Sequence, residues 1–347
     1  MHFNAPLLTI VVPTFNRVAN LDLLLRTLAA EVGPLKDRVL VLVADNASTD
    51  NTQEIVRAIQ ADWPELTSVA RPQNLGADGN FCDCVERVST RYFWIIGDDD
   101  LPKRGVIAKL VELLADSLPA LVYMQSDWVK SIESADQGRP VDELHIDLLD
   151  GATFAHRVHI WLTFISGVII DRQMLLEALR GQTIRRFSGS SLVQLGWIFP
   201  LLATGGRFAL VNNPCVLATK DNSGGYPVLT VFGIRFARIA HEVFGRGSSL
   251  ARALIDGNIR YYLPTPVWQS RRGAKAGFEK EDPWLPMLNE LRESPWFWIL
   301  IYPISRFPRI VAAPLYQFWR VLNRLRTEFQ KRRTGTSIQP PTTSSPR

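Results

Sequence analysis

Apolar and polar positions follow two rhythms along the first 125 residues. Apolar runs of strand length fall at residues 7–12, 39–44, 66–70, 92–96 and 120–124. They are apolar at successive positions, which predicts strands buried on both faces of a sheet. Between them, residues 21–31, 52–61, 77–88 and 106–114 carry a helical period; Leu21, Leu24, Leu25 and Leu28 show its three-and-four spacing. Strands alternating with helices predict an α/β fold, a mostly parallel sheet flanked by helices. Ser48, Thr49 and Asp50 are expected to cap the second helix, and Pro102 suits the first turn of the fourth.

Further along, residues 126–163 are more polar and predict loops with a short helix. A strand at 164–170, an apolar helix at 192–203, short strands at 208–211 and 216–218 and two helices within 228–262 follow, the helices separated by Gly245-Arg246-Gly247. The Ser/Thr/Pro-rich end, from about Thr334, is expected to be disordered. This divides the chain into a first half-domain (1–125), a second (126–225), a helical extension (226–294), an arm (295–333) and a tail (334–347).

Composition narrows the function classes. With 46% hydrophobic and 21% charged residues in 347, the chain is globular rather than disordered. Cys82, Cys84 and Cys215 are too few for a disulfide framework and lack the companions of a structural zinc site, which fits a reducing cytoplasm. The apolar run near the N-terminus stops at Pro13 without a basic region before it, so no signal peptide is expected. Nor does any run reach the roughly 18 apolar residues of a membrane span. The net charge of +5 is uneven: residues 295–347 hold nine Arg or Lys against Glu328, leaving −3 for residues 1–294. A mildly acidic body argues against a nucleic-acid partner.

In an open parallel sheet, ligands bind beyond the carboxyl ends of the strands. Four polar segments fall there: Pro13-Thr14-Phe15-Asn16-Arg17, Asp45 to Asp50, Asn74-Leu75-Gly76 and Asp98-Asp99-Asp100. Three carboxylates directly after a buried strand repel one another unless a cation neutralises them. Hard oxygen ligands suit Mg²⁺ or Mn²⁺, which typically bind one or two carboxylates plus substrate phosphates. In an extended segment Asp98 and Asp100 would point one way and Asp99 the other. Asp45 is placed to accept hydrogen bonds from a base or ribose if Ser48 or Asp50 caps the next helix. A dinucleotide-dependent oxidoreductase is excluded, because no GxGxxG follows the first strand.

Together these four segments, with Thr9 to Arg17 as the first, resemble the family-2 glycosyltransferases of GT-A fold, over about a third of the chain. The look is that of bacterial enzymes extending lipid-linked O-antigen or capsule sugars, abequosyltransferase-like ones among them. The span from Phe164 to Ile170 is similar to the family's acceptor-side strand. The resemblance implies that Pro13, Thr14, Asn16, Arg17, Asn74 and Gly76 line the donor pocket, with Asp45 on the base. It implies that Asp98 and Asp100 stand for the DxD metal motif, with Asp98 also at the donor and Asp99 beside the chemistry. The implied reaction is an inverting, metal-dependent transfer from a nucleotide-diphosphate sugar to a hydroxyl of a saccharide acceptor, lipid-linked by the same analogy.

The family's acidic base about 90 residues further on has no counterpart in Ser188 to Gln194. Asp127, Asp171 and Glu177 remain as candidates, Asp127 at the end of the fifth strand first among them. Two other readings stay open: a degenerate sugar-nucleotide-binding protein tethered to a membrane, and a nucleotidyltransferase. The latter lacks its Gly-rich basic loop. His156 and His159 read as packing residues. Residues 220–226 read as a lid or an ordinary loop. In the arm, Trp296, Trp298 and Trp319 with Arg306, Arg309, Arg320, Arg324 and Arg326 suit an interfacial helix on anionic lipid, broken by Pro303, Pro308 and Pro314. The expected location is the inner face of the cytoplasmic membrane.

Overall fold

The computed structural model describes residues 5–133, 135, 138–219, 227–272 and 284–334. Nine strands form one sheet: β1 (Leu8–Thr14), β2 (Val39–Asp45), β3 (Thr67–Ala70), β4 (Tyr92–Ile95), β5 (Leu101–Pro102), β6 (Leu121–Val129), β7 (Ile146–Leu149), β8 (Val168–Asp171) and β9 (Phe208–Thr219). The order is β3-β2-β1-β4-β8-β6-β9-β5, with β7 also on β9. The first four strands are mutually parallel, and β6 runs parallel to β9. β8 is antiparallel to both its neighbours. Thr14 lies opposite Asp45, and Asp45 opposite Ala70, so the three loops beyond them leave from one edge. Pro13 faces the side where the ladder with β4 has already stopped, so its missing N–H costs no sheet bond.

Strand alternation divides the core. Ile10 and Val12 face α1 (Val18–Val32), α2 (Thr52–Asp62) and, beyond α3, α4 (Val106–Ser117). Val11 faces the opposite layer, with α3 (Gly76–Arg87), α5 (Gly151–Val158), α6 (Arg172–Leu179), α7 (Leu195–Leu202), α8 (Phe236–Phe244) and α9 (Ser249–Tyr261). α10 (Pro264–Arg271), α11 (Trp284–Leu291), α12 (Tyr302–Arg306) and α13 (Arg309–Thr334) pack onto that same layer through Val267, Met287, Ile304 and Trp319.

The strands and helices expected over residues 1–125 are present within a few residues. Further along, α5, α7, α8 and α9 fall where helices were expected, while other segments depart from expectation. β6 runs on to Val129, and β7 lies within the stretch read as loops. The strand expected from Phe164 begins at Val168, after a tight turn at Ile165–Gly167. The two short strands expected near 208 and 216 are one, β9. Pro102 is not in a helix: it pairs with Val216 in β5, and α4 starts after Gly105, whose φ of +76° turns the chain. Pro314 does not break the arm either. It lies inside the 26-residue α13, and Ile310, whose carbonyl loses its helical partner, is 84% exposed and open to water. The segment 220–226 and residues 335–347 lie outside the described residues.

One close approach in the helical layer is a test of packing. His159 is buried and stacked on Tyr261 at 4.9 Å, and burial pushes its imidazole down to about 3, so it packs as a neutral ring. A Cβ on Gly257 would meet His159 Cβ at 2.5 Å. Gly257→Ala is therefore expected to cost about 2–3 kcal/mol by overpacking. A denaturant midpoint equal to that of the wild type would contradict this.

Candidate active site

The loops after β1, β2 and β3 are tied into one rim by short polar side chains. Asn16, at φ +53°, accepts the Thr49 amide at 2.7 Å through Oδ1, and its own amide donates to Ser48 Oγ at 2.9 Å. Asn46 donates to Asn74 Oδ1 at 2.8 Å and accepts the Leu75 amide at 2.9 Å. Asn74 Oδ1 also takes the amide of Gly76, whose φ of +71° suits glycine. Asp50 takes the first amides of both neighbouring helices, Val18 N at 3.1 Å and Thr52 N at 3.1 Å, and also the Thr52 hydroxyl at 2.5 Å. Asp45 is not left idle by this. Its carboxylate takes the Ser48 amide at 2.9 Å and the Gln53 side chain at 2.5 Å. A ligand base at Asp45 would thus share it with Gln53.

Asp98, Asp99 and Asp100 follow β4 at the same edge and are 4%, 8% and 6% exposed. They do not alternate as an extended segment would. The Asp100 amide donates to Gly97 O at 3.1 Å, closing a turn, and Asp98 and Asp99 both reach Arg17 Nη1 at 3.0 Å. The Thr14 hydroxyl donates to Asp98 at 2.8 Å, so the first loop and the acidic turn form one unit. Asp100 faces the other way, taking the Thr219 amide at 3.3 Å from the end of β9 and a bond from Ser166. A Cβ on Gly97 would lie 2.9 Å from Asp99 Oδ1 and 3.4 Å from Asp100 Oδ2, so glycine lets the two carboxylates close over it.

The electrostatics follow from this burial. Burial pushes the Asp98 carboxyl up to about 6 despite the pull of Arg17 and Thr14. Burial, then the adjacent Asp99 charge, push Asp100 up to about 7. Buried carboxylates raised in this way gain from a cation. An all-oxygen donor set of this kind fits hard Mg²⁺ or Mn²⁺. Among the described residues, no group of three or more His, Cys, Asp or Glu encloses a cation position by itself. A magnesium-type site completed by substrate phosphate does not require one.

Of the acids considered as base, Asp171 is fully buried. It caps α6 through the Met174 amide and pairs with Arg91 at 2.9 Å, so it cannot meet an acceptor. Glu177 lies on α6 within reach of Gln173 at 3.2 Å. Asp127, half-exposed in β6, accepts from Lys103 Nζ at 2.6 Å. In the stretch of Ser188 to Gln194, Asp78 of α3 accepts the Ser191 amide at 2.9 Å, and burial raises its carboxyl. Asn46 and Ser166 lie in spans noted from the sequence but are given no role there, and Asp78 and Thr219 lie outside those spans. Asp78, Ser166 and Thr219 are ordinary polar residues that long-range pairing brings to the site.

Comparison with known proteins agrees with this geometry. The profile of the glycosyl transferase family 2 matches residues 9–150, which include the rim and the acidic turn. The chain carries a family 2 glycosyltransferase domain. Abequosyltransferase RfbV of Salmonella typhimurium is 31% identical over 105 residues, 30% of this chain and 31% of that protein. Validoxylamine A glucosyltransferase of Streptomyces hygroscopicus subsp. jinggangensis is 46% identical over 57 residues, 16% of this chain and 13% of its own. The matches thus span less than a third of these curated relatives. Among solved structures, S. aureus TarS 1-349 in complex with UDP superposes with a TM-score of 0.62 at 15% identity, covering 96% of this chain and 93% of that one. The mannosyltransferase PcManGT of Pyrobaculum calidifontis, in complex with GDP-Man and Mn²⁺, gives 0.51 at 19% identity, with 92% and 88% covered. These likenesses identify the fold of the glycosyltransferase domain as GT-A.

Proposed function

We propose that this protein is an inverting, divalent-metal-dependent glycosyltransferase. It moves a sugar from a nucleotide-diphosphate donor to a hydroxyl of a lipid-linked saccharide in cell-surface polysaccharide synthesis. The observation that carries this reading is the buried acidic turn, hydrogen-bonded to the first loop, in a family 2 glycosyltransferase domain. Pro13, Thr14, Asn16 and Arg17 would line the donor pocket, with Asn74, Gly76 and Asp98 completing it and Asp45 at the base. A Mg²⁺ or Mn²⁺ ion held by Asp98 and Asp100 would neutralise the leaving diphosphate. Arg17 holds Asp98 and Asp99 in place, so the turn is organised before the donor arrives. An acceptor hydroxyl attacks the anomeric carbon opposite the diphosphate, the bond to the diphosphate oxygen breaks, and Asp127 takes the hydroxyl proton.

The arm supports a membrane location. No helix among the described residues is long and apolar enough to cross a membrane. α13 nevertheless leaves Ile310, Val311, Leu315, Phe318, Val321, Leu322 and Leu325 exposed, beside Arg309, Arg320, Arg324 and Arg326. An apolar face beside arginines complements anionic lipid at the inner face of the cytoplasmic membrane, where a lipid-linked acceptor would be met.

The lysine on Asp127 favours a second reading, a protein that binds the donor without turnover. A thermal-shift screen of nucleoside diphosphates and nucleotide sugars, with and without Mn²⁺, tests the donor site. Ligand near 100 times Kd is expected to add about 2.7 kcal/mol, a rise of several degrees, for one nucleobase and only with metal. No shift across the panel would refute the donor site. Binding without donor hydrolysis or transfer would favour the second reading.

A further inference from the structure

The acidic turn has two sides, and from the one away from Arg17 and Thr14 the donor reading uses only the Asp100 carboxylate. On the other side, Asp100 is met by Thr219 and Ser166, and the Thr219 hydroxyl donates to Asp99 O at 2.9 Å. Each of these partners has an aromatic residue close by in the fold. Ala218, just before Thr219, is paired in register with Trp128 of β6. Phe164 lies two residues before Ser166. The two rings meet at a centroid distance of 5.1 Å, tilted by 50°.

This pair is not ordinary core. Phe164 packs at the margin of the core beneath it, whereas Trp128 joins neither core cluster and stays partly exposed. The Trp128 indole N–H donates to no protein group among the described residues. Gly167 makes room for the arrangement, since a Cβ there would meet Phe164 Cδ1 at 2.9 Å and Met124 O at 3.0 Å. Buried polar atoms without partners lie along the same segments. Ser126 Oγ, two positions before Trp128 and on its side of the strand, is unpaired. So is Gln194 Oε1, whose Nε2 holds Thr163 O, beside Phe164, at 2.9 Å.

A partly exposed aromatic face with a spare N–H, next to unpaired hydroxyl and amide oxygens, suits a ligand with an apolar ring face and a hydroxyl edge. We propose that Trp128 and Phe164 form the acceptor platform, stacking the C–H face of a pyranose so that a hydroxyl is held toward the acidic turn. This rests on the glycosyltransferase reading for its role but not for its binding chemistry.

The test uses the full chain and a panel of methyl hexopyranosides and methyl 6-deoxyhexopyranosides, with a nucleoside diphosphate and Mn²⁺ present. Saturation-transfer NMR is expected to mark the axial C–H protons of one ring face. Loss of one ring of the stack, in Trp128→Ala or Phe164→Leu, is expected to weaken binding about tenfold. Trp128→Phe should retain most of the signal, and the nucleotide-induced rise in Tm should be unchanged in all three. No saturation transfer with wild type across the panel, or equal transfer with the two ring-removing variants, overturns the platform. Glycoside contact at these rings without any nucleotide-induced rise would instead remove the donor reading and leave the platform standing.

Discussion

Asp98→Asn combined with Asp100→Asn is expected to lower sugar transfer on the order of a thousandfold or more, because it removes the charge that, on the proposed function, would hold the metal at the leaving diphosphate. Stability is expected to move the other way at neutral pH. Both carboxyls titrate higher in the folded protein, about 6 and about 7, than the ordinary value near 3.8. A group with a raised folded pKa favours folding when protonated, so the native state is relatively most stable at low pH on this account. That advantage is lost as pH rises through 6 to 7. Asn is neutral throughout. The double variant should therefore melt at or above the wild type at pH 8, with the difference closing toward pH 4. Mn²⁺ should raise the wild-type Tm more at pH 8 than at pH 5, since protons and metal compete for the same oxygens. A variant that transfers sugar at the wild-type rate refutes the metal role. One that melts well below wild type at pH 8 refutes the electrostatic account.

The different fates of neighbouring features show what the sequence can carry. The rhythm from Leu8 to Met124 is legible because β1, β4 and the first part of β6 are buried on both faces and each helix has one apolar stripe, patterns that local chemistry alone sets; β3, at the sheet edge, is mostly exposed. β7 is not legible, since only part of its short ladder is covered: Ile146 and Leu148 are exposed. The acidic triplet was legible as a charge problem, but its conformation was not. Alternation assumes an extended chain, whereas the bond from the Asp100 amide to Gly97 O bends it, and Arg17 draws Asp98 and Asp99 to one side. From the sequence Asp45 reads as spare, since Ser48 or Asp50 can cap the helix. Asp50 does take the first amide of that helix, yet Gln53, the second residue of α2, reaches back to Asp45. Ser166 and Thr219 carry no local mark; sheet order decides that they meet Asp100.

Changing Phe318 and Leu325 together to Glu is expected to release the protein from anionic vesicles while leaving the fold intact. The arm was legible as amphipathic, but its two apolar stripes could be separated only in three dimensions. Ala312, Tyr316, Trp319 and Asn323 are buried, and the Trp319 indole donates to Arg260 O at 2.9 Å. The adjoining stripe of Val311, Leu315, Phe318, Leu322 and Leu325 is bare, with Phe318 63% exposed. A truncation near Glu293 would therefore confuse the question, since it strips Phe297, Ile301 and Trp319 from the core along with the exposed apolar stripe. The double substitution leaves that inner stripe untouched. Each large apolar side chain moved from water into lipid contributes about 1.5–3 kcal/mol, so losing two should weaken vesicle partition by about a hundredfold or more. Binding should also fall with salt and with neutral in place of anionic lipid, because the arginines beside the stripe act through screened charge. Co-sedimentation with phosphatidylglycerol vesicles measures this. Undiminished pelleting of the double variant would refute the lipid-facing role of the stripe. A stripe that instead holds two copies of the chain together would be revealed by a dimer in sedimentation velocity that the same substitutions dissolve.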